Sequence, residues 1–416
     1  MSHSFRRIWI HEGGSVAIAF SFAVPVLLLA AALAIDAATL NDQKSRIQSV
    51  ADSTALAVAK ELHLLADADL AKQAGLSRAE ALLAEVGLSE RPHEVNVRID
   101  PLLKTVDVDI ELVGSSFLPP EATGGQTPLV VEARAESYGE VRLCVLGLNS
   151  SRGETVVGDN GAVLTAPDCA VQSNSTDANS LVMKGLSSLV SIFTCTSGGF
   201  TGSLGLFLPP PQTDCPQLAD PLSDRPVPQF AGCDYNDVRI GGNKTATLSP
   251  GTYCGGIKIS KKAVVTAEPG VYIITGGTLS VADSAALTGE YVGFYFADDA
   301  ATLDFENDSL IELGAPKDGP MAGLLFFENP SAAPGRQFTI RTSRARKLLG
   351  TIYIPRGILR VEGSNTVAAA SAYTVIVADQ VDIRAATLVI NADYGATDVA
   401  VPGGLGPNSG KVRMVR

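Results

Sequence analysis

Residues 13–35 form an uninterrupted uncharged run, and no other stretch restricts the chain as much. At 1.5 Å per residue, about 20 helical residues cross the ~30 Å hydrocarbon layer of a bilayer. A helix also satisfies its own backbone polar groups there. Val16, Leu29 and Ile35 belong to this run, and so does Pro25, which a spanning helix tolerates. Arg6 and Arg7 precede it, while Asp36 and Asp42 follow. Basic flanks stay cytoplasmic, so the rest of the chain is expected beyond that membrane. A cleaved signal peptide is the competing reading, because Ala32-Leu33-Ala34 resembles an A-x-A cleavage site. The apolar core of a signal peptide is shorter, ~7–15 residues, which favours a retained anchor. A buried core helix seldom runs so long without charge.

Beyond Ile35 the pattern becomes amphipathic. Leu40, Ile47, Ala51, Ala55, Val58, Leu62 and Leu65 recur at helical steps. A single helix over 16–65 would reach about 75 Å; the alternative is two helices broken near Asp36. For 66–141 the pattern predicts a small α+β domain. Good helix formers fill 66–88, with Ser77 as the expected N-cap. Val95, Val97 and Ile99, then Val106, Val108, Ile110 and Leu112, alternate on either side of Pro101 as a hairpin would. Residues 119–128 read as a loop and 129–141 as a further strand.

From residue 142 the chain turns to short apolar pairs among glycines; the whole sequence has 40 Gly and 23 Pro, which favours strands over helical bundles. Pro250-Gly251-Thr252-Tyr253, Pro269-Gly270-Val271-Tyr272 and Thr288-Gly289-Glu290-Tyr291 recur at a spacing of nineteen. Tyr353, Tyr373 and Tyr394 continue at twenty and twenty-one. A repeat of about 20 residues that turns at glycine implies stacked coils. Asn243, Asn365 and Asn391 are placed at coil turns. Residues 208–228, with seven prolines, read as an excursion from the stack. The expected fold class is mainly β with N-terminal α: a single transmembrane helix extended into an amphipathic stem (1–65), the small α+β domain (66–141), and a C-terminal parallel β-helix or β-solenoid (142–416) whose first part, 142–254, carries the cysteines.

Those cysteines are Cys144, Cys169, Cys195, Cys215, Cys233 and Cys254, none closer than eighteen residues to the next. The spacing excludes CxxC and zinc-knuckle motifs and suits three disulfides in an oxidising compartment. Fifteen pairings are open, and joining neighbours is the simplest. The net charge of −12 excludes a nucleic-acid partner, which requires a basic face. All four histidines, His3, His11, His63 and His93, precede the repeats, so the coils hold no histidine triad or histidine-ligated metal. His63 and His93 read as surface residues.

Asp304, Glu306 and Asp308 alternate, which puts their carboxylates on one face of a strand, with Asp298 and Asp299 near. The reading is a solvated acidic face, with calcium as the alternative. Arg336, Arg341, Arg344, Arg346 and Lys347 form a basic cluster, read as a solvated loop or as partners of that run. The repeating Tyr253, Tyr272 and Tyr291 read as an internal stack. If exposed, they would instead suit a glycan-binding adhesin. A polysaccharide-lyase reading would need calcium carboxylates beside a basic catalytic residue, and a fold alone does not supply that.

Several segments resemble the TadG-like Flp (tight adherence) pilus-assembly family. They are Gly13-Gly14-Ser15-Val16-Ala17-Ile18, the span ending in Ile35-Asp36, and the run from Gln43 through Lys44, Ser45, Arg46 and Ile47 to Ala57. Cys144-Val145-Leu146-Gly147-Leu148, Cys233-Asp234-Tyr235-Asn236, Pro250-Gly251-Thr252-Tyr253-Cys254 and Gly350-Thr351-Ile352-Tyr353 carry the likeness further along the chain. The resemblance implies a bacterial envelope protein in the inner membrane, N-terminus cytoplasmic. Its partners would be pilin or pilus-assembly proteins and inner-membrane lipid, and no enzymatic activity comes with the family; no cofactor is expected, and the sequence leaves a homo-oligomer open. Pilins of this system carry a glutamate five residues after a glycine, whereas Gly13 and Gly14 are followed there by Ile18 and Ala19. This departure argues for retention of the anchor.

Overall fold

The computed structural model describes residues 13–61, 68–100, 105–116, 128–306, 308–342, 344–363, 366–403, 405 and 408–415. Arg6, Arg7, His3, His11, His63, Leu62, Leu65, Pro101 and Asn365 lie outside them. The first element, α1 (Gly13–Glu61), is one helix of 49 residues with Pro25 inside it. It is therefore about 74 Å long, and no break occurs at Asp36.

The apolar stripe of α1 explains its C-terminal half. Ile47, Val50, Ala51, Ala55, Val58 and Ala59 are buried, each larger side chain contributing about 1.5–3 kcal/mol. They pack on α2 (Ala68–Glu85) and on a sheet of β1 (His93–Asp100), β2 (Thr105–Val113) and β3 (Pro128–Val141). β1 with β2 and β2 with β3 are antiparallel. Ser77 lies inside α2 rather than capping it, because the helix already starts at Ala68. Gly75 lets α2 approach α1: a Cβ there would lie 2.6 Å from Val58 Cγ2. A fourth strand, Asn408–Val415, pairs antiparallel with β3. Asn408–Val415 thus belongs to the first sheet and not to the parallel body, a difference from the expected 142–416 unit.

The remaining body is mostly β, and its strands pair in parallel. Three columns of strands run through it. In one, Tyr235–Ile240 pairs with Gly251–Ile259, which pairs with Gly270–Thr275 and, one column over, with Thr278–Val281. The third column begins with Thr245–Leu248 on Val264–Ala267. Inward-facing residues such as Ile257, Leu279, Leu303, Phe338 and Leu359 form one continuous core.

Sequence order and stacking order differ. The body is entered in its middle: Leu143–Gly147 pairs with Thr374–Arg384, late in the chain. From there Val163–Ser173 and Ser188–Thr196 build outward to one end. Residues 209–234 then cross to the opposite end, where Tyr235–Ile240 starts a second series that stacks back to the joint. The proline-rich excursion is therefore a strap. Leu218 and Leu222 sink into the core. Asn174 holds the strap by two hydrogen bonds, Nδ2 donating to the Leu218 carbonyl (2.7 Å) and Oδ1 accepting from Leu218 N (2.9 Å). Tyr353 Oη donates to Asp220 (2.7 Å), and Arg225 donates to the Ala322 carbonyl (2.6 Å).

Candidate anchoring helix and its polar collar

One helix carries two kinds of surface. Phe20, Phe22, Leu27, Leu28, Leu29, Leu33 and Ile35 are exposed. An 18-residue window of this part has mean hydropathy 2.2 and is 6 % buried. Leaving so many large apolar side chains in water is unfavourable by ~1.5–3 kcal/mol each, so the segment suits a membrane. Pro25 is accommodated without ending the helix. Val16 lies in the first part of α1.

At Asp36 the surroundings change. Asp36 is 6 % exposed and accepts a hydrogen bond from Ser116 Oγ at 3.0 Å. Two turns on, Gln43 is also buried. Its Nε2 donates to Ser115 Oγ (2.7 Å), while its Oε1 accepts from Ser115 N (3.0 Å) and from Arg91 (2.9 Å). Gly114 allows this approach, since a Cβ there would stand 2.8 Å from Leu40 Cδ2. The result is a polar collar that fastens the end of β2 to α1 just past the apolar run. Sequence reasoning counted Asp36 only as a flank and passed over Gln43. The available signal was position: 36, 40, 43 and 47 fall on the buried stripe, where a polar side chain needs a partner.

The other sequence candidates fall as follows. The six cysteines form Cys144–Cys169, Cys195–Cys215 and Cys233–Cys254, with Cα–Cα distances of 5.6, 6.1 and 5.7 Å. Two of these bonds staple the ends of the strap to the coils beneath it. Asp304, Glu306 and Asp308 each have protein partners. Arg341 donates to both oxygens of Asp304 (2.8 and 2.7 Å) and lies 3.4 Å from Glu306. Asp308 accepts from Ser284 (2.7 Å) instead. Hydrogen bonding to Asp304, with some burial, pushes the Glu306 carboxyl upward. Among the described residues no group of three or more His, Cys, Asp or Glu is arranged to hold a metal.

The basic cluster is dispersed. Arg336 turns inward to the fully buried Glu328, Arg341 pairs with Asp304, and Lys347 pairs with Glu290. Tyr253 and Tyr272 are buried in a column of rings, Tyr235–Tyr253–Tyr272–Phe294–Phe326, at centroid distances of 4.6, 5.9, 5.1 and 6.0 Å. Burial raises both phenols well above their ordinary value. Tyr291 is not in the column. It occupies a left-handed turn (φ 60°), and Phe294 stands in register with Tyr272. Tyr253 and Tyr272 are thus internal, as a stack requires, and not an exposed pair. Asn243 does sit at a left-handed turn (φ 58°). His93 is held between the Arg91 carbonyl (2.6 Å) and Glu80 (2.9 Å), which raise its pKa in that order.

A cavity of about 550 Å³ opens where the strap crosses the joint, bordered by Asn149, Gln217, Asp220, Tyr353, Arg356 and Asp379. Its polar groups bind one another, as in Asn149 Nδ2 to Asp379 (3.0 Å). Burial raises Asp220 and Asp379 despite these hydrogen bonds.

Together, these features define a protein with a long, exposed apolar N-terminal helix compatible with a membrane anchor, a polar collar and a mostly β body. Residues 14–61 match the family model of putative Flp pilus-assembly TadE/G-like proteins, so the TadG-like resemblance holds over α1 and supports a role in pilus assembly. No curated protein and no solved structure matches the chain.

Proposed function

We propose that this protein is a membrane-anchored structural component of Flp/Tad-type pilus assembly, acting by contact with other proteins rather than by catalysis. In this reading the first part of α1 spans the inner membrane with its N-terminus in the cytoplasm. The parallel body is a β-solenoid held on the far side, periplasmic or exposed with the pilus. The observation that carries the reading is the change of environment within one helix. Its apolar part is left bare while the next turns are locked to a sheet by Asp36 and Gln43. A rigid collar transmits the position of the anchor to everything beyond it, as an assembly scaffold requires. The TadE/G-like match covers this same helix, and the disulfides suit an oxidising compartment.

The test is deletion of residues 16–35 in the producing cell, with fractionation and cross-linking to pilus components. The expected outcome is release of the body from the membrane fraction, loss of those cross-links and loss of pili. Normal pili in the deletion strain would overturn the reading.

A further inference from the structure

At both ends of the parallel body the last strands pair on one side among the described residues. At one end the last strands are Tyr235–Ile240 and Thr245–Leu248, each paired on its inner side only among the described residues. At the other end the last strands are Phe200–Thr201 and Phe207–Leu208, each paired on its inner side only among the described residues. Both ends show the same three columns, and the chain runs in the same direction in each. A free strand edge is a template for another strand, and proteins blunt such edges with charge, proline or short strands. Here Asp237, Arg239 and Lys244 mark one end, and two-residue strands followed by Pro209, Pro210 and Pro211 mark the other. Residues 185–213 contain no charged side chain at all.

The exposed apolar side chains of the body concentrate at these ends. Leu186 (88 % exposed), Ile192, Leu204 and Leu208 lie on the last coils of the uncharged end, and Phe230 and Tyr235 lie at the opposite end. Tyr235 is also the last ring of the aromatic column, stacked on Tyr253 and 37 % exposed. The molecule already stacks coils that are not consecutive in sequence, at the joint of Leu143–Gly147 on Thr374–Arg384.

We propose that the body binds a second copy of itself head to tail, the Tyr235–Leu248 coil of one copy adding to the 200–212 coil of the next. Parallel pairing of matching columns dictates this arrangement. A two-fold pairing of the uncharged ends would reverse strand direction and leave the Tyr235 end open. The contact is heterologous, and unless its rotation closes a ring it propagates as a filament. The inference rests on the stacked-coil reading of the body and is independent of the pilus reading.

Thr201 and Arg239 are exposed on facing terminal strands, and neighbouring parallel strands stand about 4.8 Å apart. Every described cysteine is in a disulfide, so added thiols report alone. Full-length Thr201→Cys and Arg239→Cys proteins, solubilised in detergent, are treated with a bismaleimide separately and mixed. The expected result is a species of doubled mass in the mixture and in neither variant alone. Adding Leu208→Glu to the Thr201→Cys chain should abolish that species while the circular-dichroism spectrum stays unchanged. A mixture without doubled mass, or self-linkage of Thr201→Cys alone, would overturn the proposal and leave the anchoring role untouched.

Discussion

Asp298 shows how single side chains tie neighbouring segments of the parallel body together. Its carboxylate accepts hydrogen bonds from Thr275 Oγ1, Gly276 N (2.7 Å), Ala300 N (3.0 Å) and Ala301 N (2.9 Å). Burial pushes its pKa up, but these four donors together outweigh burial and leave it below the usual carboxylate value. A depressed carboxyl stabilises the fold above the unfolded pKa of about 3.9 and loses that contribution as pH falls through its folded value. Asp298→Ala should therefore destabilise the protein by about 1–2 kcal/mol at pH 7, allowing for partial exposure. The gap in melting temperature should close toward pH 2, and a gap unchanged with pH would refute the assignment. His93 behaves oppositely. Its raised pKa makes its stabilising contribution complete below about 6.5 and lost as pH rises through the folded value. Imidazole resonances should titrate above 6.5, and Glu80→Gln should bring the midpoint down. At this scale the sequence was a poor guide. The acidic residues stood out as a group, but which donors face each of them depends on coil register, which no spacing encodes.

The strap is the element that fixes the body's unusual order. It joins two series of coils that would otherwise share only the joint and the core, and Cys195–Cys215 and Cys233–Cys254 staple its ends. Each closes a loop of about 20 residues, worth about 3 kcal/mol on the chain-entropy model. Reduction should expose residues 216–232 to limited proteolysis before the coils themselves are cut. Simultaneous loss of all segments would show that the strap is not a separate unit. Leu222→Ala, which empties a core site beneath the strap, should cost about 2–5 kcal/mol, measured by chemical denaturation. The alternating strands and the prolines of this region were legible because period-two patterning and missing N–H donors are local properties. The stacking order was not, since nothing local says which coil a given coil will cover. The nineteen-residue tyrosine repeat misled for a related reason. Register between coils is set at 21 and 22 residues, Gly251 opposite Tyr272 and Tyr272 opposite Phe294, so Tyr291 falls into a turn.

On the scale of the whole molecule, one helix links an apolar surface to a packed β structure. Both halves of α1 could be read in advance: a run without charge, then an apolar stripe at helical steps. The collar between them could not, because Ser115 and Ser116 lie more than 70 residues from Gln43 and Asp36 in sequence (separations 72 and 80). The same holds for Asn408–Val415, which pairs with the second half of β3 although about 270 residues separate them in sequence. The account stands on α1 passing from lipid to water near Asp36. Single cysteines at Leu27 and Ser49, in membrane vesicles opened to both sides, test that boundary with a water-soluble maleimide. The account predicts labelling of Ser49→Cys and protection of Leu27→Cys until detergent is added. Equal labelling of both positions before detergent would contradict it.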